Sequence, residues 1–122
     1  MNAKVEVGEQ LVAEIFVRDV AASAAFYKNI GFAEMRRTPT FAVMRFDESL
    51  LFLAQREGLS EAPKHPPVSV RVIVADVNQR WAKAQAQGMK VVEPLADRDY
   101  GLRDFTLADP DGIGVRFGAF LK

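Results

Sequence analysis

The chain has 122 residues, with 16 Lys and Arg balanced by 16 Asp and Glu, and it contains no cysteine. Balanced charge gives no electrostatic draw toward nucleic acid or an anionic membrane surface, and the lack of thiols excludes disulfides, thiolate metal sites and cysteine nucleophiles. A hydrophobic content of 49% is that of a folding domain with a sizeable core.

Met1–Gln10 is charged and lacks an apolar run, so no secretory signal is expected there. No apolar stretch approaches the roughly 18 residues of a spanning helix, and a cytoplasmic protein is the default. Leu11–Val17 is apolar at alternate positions and reads as a strand. Asp19 offers a helix N-cap, Ala21–Ile30 carries Phe26, Tyr27 and Ile30 at helical spacing, and Gly31 supplies the stop. Phe32–Arg37, Phe41–Phe46 and Leu50–Gln55 follow as three short runs, separated by Thr38-Pro39 and Asp47-Glu48-Ser49, and read as an antiparallel meander.

Glu57–Pro67 holds Gly58, Ser60, Pro63, Pro66 and Pro67, a linker composition. After it the first pattern returns. Val68–Val74 is a strand, Asp76 caps a helix over Val77–Gln87, Gly88 ends it, and Met89–Leu95 is a strand. Asp19 and Asp76 are 57 positions apart, and so are Gly31 and Gly88. Cap and stop at one common offset, with apolar strands on either side, point to a duplication. The closing stretch, Tyr100–Phe117, is built on the turn Asp109-Pro110-Asp111-Gly112. Phe105 and Leu107 alternate before the turn, and Val115 and Phe117 after it, which predicts a β-hairpin with one face on a core.

The order βαβββ-βαβββ, the phrase F-Y-K-N-I-G-F at Phe26–Phe32 and the final D-P-D-G turn resemble the vicinal oxygen chelate superfamily over nearly the whole chain, from about Leu11 to Phe120. That group includes glyoxalase I, extradiol dioxygenases, and fosfomycin- and bleomycin-resistance proteins. The resemblance implies an α+β fold: two βαβββ units (residues 11–56 and 68–121 of one domain spanning 1–122) forming a curved, barrel-like sheet of eight strands. Two helices cover the sheet and the concave side takes the ligand. It also implies where metal-dependent members keep their ligands: seven residues before each capping Asp, and four residues after the turn glycine. Those positions hold Val12, Ser69 and Arg116 here. Valine does not coordinate, serine is a poor ligand and arginine repels a cation. The single histidine, His65, lies in the proline-rich linker. No metal or other cofactor is therefore expected. The chain most resembles the bleomycin-resistance branch, whose aromatic-Gly…Arg…Phe…Asp-Pro pattern is matched by Tyr100-Gly101, Arg103, Phe105 and Asp109-Pro110.

Strand parity gives an independent handle, because residues two apart share a face. If Val12 and Ser69 point into the cleft, so do Glu14 and Phe16, and Arg71 and Ile73, with Arg116 joining them. Ala13, Ile15 and Val17, and Val70, Val72 and Val74, fall on the helix-covered side. Two readings of Glu14, Arg71 and Arg116 stay open. An arginine grips an anionic or carbonyl group with Glu14 orienting it, or the charges form a buried ion pair filling the space of a former metal. Phe41, Phe52, Tyr100 and Trp81 are the aromatic candidates for stacking on a flat ligand. Of these, Tyr100 and Phe41 suit a cleft, while Trp81 suits helix packing.

The expected function is non-catalytic binding of a small, antibiotic-like molecule in a cleft between the βαβββ units. Glu14, Phe41, Ser69, Arg71, Tyr100 and Arg116 are the ligand-binding candidates, and the protein is expected to form a homodimer. The alternatives are a glyoxalase-like or dioxygenase-like metalloenzyme with displaced ligands, and an interaction domain with a vestigial cleft.

Overall fold

In the computed structural model, which describes residues 9–122, the elements run β1 (Ala13–Val17), α1 (Val20–Asn29), β2 (Ala33–Thr38), β3 (Phe41–Phe46), β4 (Ser49–Gln55), β5 (Ser69–Ile73), α2 (Val77–Ala86), β6 (Val91–Asp97), β7 (Leu102–Ala108) and β8 (Gly114–Phe120). The expected α+β order of two βαβββ runs is therefore present. For residues 1–8, the expectation of no secretory signal concerns a segment outside the described residues. The chain divides into two compact units between Ser60 and Glu61, inside the predicted linker. The eight strands form two sheets of four, in the orders β1-β4-β3-β2 and β5-β8-β7-β6, rather than the expected single sheet of eight.

In the first unit β1 pairs in parallel with β4, and β4, β3 and β2 form the antiparallel meander. Asp19 caps α1 as predicted: its Oδ1 accepts from the backbone N–H groups of Ala21 and Ala22 at 3.0 and 3.2 Å. The Gln55 side chain accepts from the Val20 N–H at 2.9 Å, which fixes the helix start against the end of β4. One face of the sheet is buried by α1. Ile15, Val17, Ala42, Met44, Leu51 and Leu53 line it, facing Val20, Ala24 and Tyr27. Tyr27, Phe32 and Phe46 extend this core as a run of edge-to-face rings 5.1–5.3 Å apart. The Phe26-Tyr27 pair of the sequence is thus helix packing, as its spacing predicts.

The second unit repeats the plan. β5 pairs in parallel with β8, and β8, β7 and β6 run antiparallel. Asp76 accepts from the Gln79 N–H at 3.0 Å at the start of α2. Trp81 packs from this helix onto Phe105 at 5.1 Å, and Phe105 stacks on Phe117 at 5.6 Å, so Trp81 belongs to the core between helix and sheet. β6 begins two residues later than its sequence pattern predicts, at Val91 rather than Met89, and contains Pro94. It is an edge strand with two register irregularities, which is where a residue lacking an N–H is tolerated.

The hairpin β7–β8 turns at Asp109–Gly112. Asp109 Oδ1 accepts from the N–H groups of Asp111 and Ile113 at 2.8 and 2.9 Å, and Gly112 donates to the Asp109 carbonyl at 3.1 Å. Gly112 adopts φ +83°, and a Cβ there would lie 2.4 Å from Pro63 Cδ. Both backbone angle and space therefore require glycine. The hairpin has the expected face on a core, made by Phe105, Leu107, Val115 and Phe117. The other face of β7 is covered as well: Asp104 and Thr106 are as buried as Phe105 and Leu107. Arg98 and Tyr100, from the loop between β6 and β7, cover Asp104, and Arg116 on β8 covers Thr106.

Candidate functional site

The face of the second sheet opposite α2 carries a row of polar side chains set by strand register. Arg71 on β5 neighbours Arg116 on β8, Arg116 neighbours Thr106 on β7, and Thr106 neighbours Glu93 on β6. Two residues along β8 in either direction are Gly114 and Gly118, which leave room beside Arg116. A Cβ at Gly114 would meet the Ser69 hydroxyl at 2.9 Å, and one at Gly118 would meet the Asp104 Cβ at 3.4 Å. Ser69 and Asp104 thus project over bare backbone on the same side as the arginines.

Arg116 is held on three sides. Its Nε donates to Thr106 Oγ1 at 2.9 Å, Nη1 to the Tyr100 hydroxyl at 3.0 Å and Nη2 to Glu93 Oε1 at 3.3 Å. Beneath it lies Asp104, with no exposed surface. The loop between β6 and β7 supplies Asp104 with its partners: Arg98 Nε donates to Oδ1 at 2.8 Å and the Tyr100 hydroxyl donates to Oδ2 at 2.6 Å. Arg116 Nη1 stands 3.8 Å from the same Oδ2. Arg98 also donates to the Pro94 carbonyl at 2.7 Å and lies 3.8 Å from Glu93 Oε2. Burial pushes the Asp104 carboxyl up, but the hydrogen bonds from Tyr100 and Arg98 and the charges of Arg116 and Arg98 outweigh it, so its pKa lies below the ordinary value. The Tyr100 phenol is raised, first by donating to Asp104 and then by burial. The result is a fixed polar platform in which a buried carboxylate locks one tyrosine and two arginines.

Arg71 differs from its neighbours. It is exposed, its guanidinium lies over the Tyr100 ring at 5.7 Å, and among the described residues it has no carboxylate partner. Tyr100 is therefore bracketed, its hydroxyl by Asp104 and Arg116 and its ring by Arg71.

Of the residues predicted from sequence, Ser69, Arg71, Tyr100 and Arg116 come together on this one face. Glu14 and Phe41 lie on the face of the first sheet opposite the one packed by α1. There β1, β4 and β3 align Glu14 with Phe52 and Val43, and Phe16 with Ala54 and Phe41. The Phe41 and Phe52 rings meet at 5.4 Å, and Arg56 covers Phe16 at 4.2 Å. Within the second unit the carboxylates beside Arg116 are Glu93 and Asp104. Neither was singled out from sequence, nor were Arg98 and Thr106. His65 is exposed in the linker, as predicted.

The family's metal does not fit this face. The position where a ligand is implied is filled by the Arg116 guanidinium, whose N–H groups are directed at Thr106, Tyr100 and Glu93, and a cation there repels a second. Among the described residues, no group of three or more His, Asp or Glu side chains is placed to hold a metal ion.

Residues 10–117 match the family described as the Glyoxalase/Bleomycin resistance protein/Dioxygenase superfamily. No curated protein matches the chain. Among solved structures, TioX from Micromonospora sp. ML1 is similar, with a TM-score of 0.77 at 24% identity over 93% of this chain and 100% of that one. A glyoxalase/bleomycin resistance protein/dioxygenase from Nocardioides has a TM-score of 0.76 at 21% identity over 100% and 87%. A bleomycin-binding protein complexed with bleomycin has a TM-score of 0.74 at 20% identity over 92% and 98%. At these identities the structural likeness is one of fold. Together with the family match over most of its length, it leads to one conclusion: the chain belongs to the glyoxalase/bleomycin resistance protein/dioxygenase superfamily.

Proposed function

We propose that the protein binds a small, partly aromatic, antibiotic-like molecule and sequesters it without chemical change. The observation that carries this reading is the fixed platform of the second sheet. Tyr100 donates to Asp104 and accepts from Arg116, Asp104 also accepts from Arg98, and Arg116 also donates to Thr106 and Glu93, so the groups that would have to move protons are already committed to structural partners. Asp104 is held ionised by its donors, and Tyr100 is held as the phenol. A pair with those assignments is poised to orient a ligand rather than to act as acid and base. Membership of a superfamily with a bleomycin-bound relative of the same fold supports the ligand-binding part of the reading.

The reading includes a homodimer, supported by the exposed Phe120 and Leu121 at the end of the chain. Light scattering of the purified protein tests that element. The main test is a titration of metal-free protein with a panel of flat drugs, followed by tyrosine and Trp81 fluorescence, with mass spectrometry of the ligand afterwards. Saturable binding and recovery of the ligand intact are expected. Conversion of the ligand, or activity that requires an added divalent ion, would overturn the proposal in favour of the metalloenzyme.

A further inference from the structure

We infer that Arg71 is the ligand-contacting residue of this site and that the ligand class is an aromatic carboxylate. The inference rests on the binding function proposed above and names the substrate class for it. Among the described residues, the network around Asp104 leaves one cation without a carboxylate. Three arginines (Arg71, Arg98 and Arg116) share the platform with two carboxylates, Glu93 and Asp104. Arg98 bonds both Asp104 and the Pro94 carbonyl, and Arg116 has three hydrogen-bonding partners. Among the described residues, the charge without a carboxylate partner is therefore that of Arg71, which the strand register places directly beside Arg116. Like charges in neighbouring register positions repel, and an anion received at Arg71 relieves that repulsion.

The surroundings suit a planar acid. The guanidinium rests over the Tyr100 ring, which limits its freedom and leaves its in-plane N–H fork for a carboxylate. Ser69, two residues before Arg71 on the same face, adds a hydroxyl donor. Ile73, two residues after it, is 44% exposed, and Tyr100 is 50% exposed. These give apolar surface to an aromatic body attached to the acid. Charge and surface together select an anionic flat molecule over a cationic one.

The test is calorimetric titration with 2-naphthoate and with its neutral isostere 2-naphthamide, on the wild-type protein, Arg71→Ala and Arg71→Lys. Circular dichroism checks that each variant folds. Wild type is expected to bind the carboxylate about tenfold or more tightly than the amide, the effect of one charge-assisted contact. Arg71→Ala is expected to bind both equally, and Arg71→Lys to keep an intermediate preference, because a point charge replaces the fork. Equal binding of both probes by wild type overturns the inference while leaving flat-ligand binding standing. A preference that survives in Arg71→Ala overturns the assignment to Arg71. Failure of wild type to bind either probe overturns the inference together with the reading on which it rests.

Discussion

Replacing Asp104 by Asn tests the platform at its centre. The substitution keeps the shape and removes the charge. Asp104 has no exposed surface and takes hydrogen bonds at 2.8 Å from Arg98 and 2.6 Å from Tyr100, with Arg116 at 3.8 Å. An amide can accept at one atom only, so either Arg98 or Tyr100 faces an N–H instead of an oxygen. Removing one partner of a buried ion pair costs roughly 3–5 kcal/mol. Here Arg98 and Arg116 keep 23% and 19% of their side-chain surface exposed and rehydrate in part, so the lower end, about 3 kcal/mol, is expected. Urea denaturation followed by circular dichroism measures it, with an unchanged m-value as the check that only stability moved. The pH dependence gives a second reading. The folded pKa of Asp104 is depressed, so its contribution is complete above the ordinary carboxylate value and is lost as pH falls through the folded value. The gap between wild type and D104N should therefore be constant above about pH 5 and close below about pH 4. A loss under about 1 kcal/mol, or a gap that persists unchanged into acid, would refute the claim that this carboxylate holds the platform.

Three further outcomes are expected. Gly112→Ala meets both a left-handed backbone angle and the Pro63 ring at 2.4 Å, and should cost about 2 kcal/mol in the same urea assay. Phenolate absorbance should show Tyr100 titrating above the ordinary tyrosine value; the transition should vanish in Tyr100→Phe and move down in D104N, because the hydrogen bond to Asp104 is the largest cause of the shift. Asp97→Asn removes the exposed pair with Arg103 and should leave the urea midpoint unchanged, since solvated pairs of this kind contribute little.

The fold was legible because its signals are local. Asp19 and Asp76 cap the helices they precede, and the parity of Glu14 and Phe16 against Ile15 and Val17 sorts exposed from buried residues correctly. The same parity brought Ser69, Arg71 and Arg116 to one face. It missed Asp104 because alternation with Phe105 and Leu107 marks a polar residue as facing outward, whereas its cover comes from Arg98 and Tyr100 in a loop. Glu93 was missed for a related reason. Its place opposite Thr106 depends on irregular register in β6, beside a proline, and period-two reasoning does not carry across such a strand.

The parallel pairing of the first and last strands in each unit has a kinetic consequence. Among the described residues β1 pairs only with β4, and β5 only with β8. When the chain emerges from the ribosome, β1 finds no hydrogen-bonding partner until Leu51–Gln55 has been made, and β5 waits for Gly114–Gly118. The meanders β2–β3–β4 and β6–β7–β8 close through short loops and can form early, whereas docking the opening strand closes a loop that contains the whole helix. In each unit the pairing of the opening strand is therefore the most non-local of its sheet, and it is expected to form after the meander.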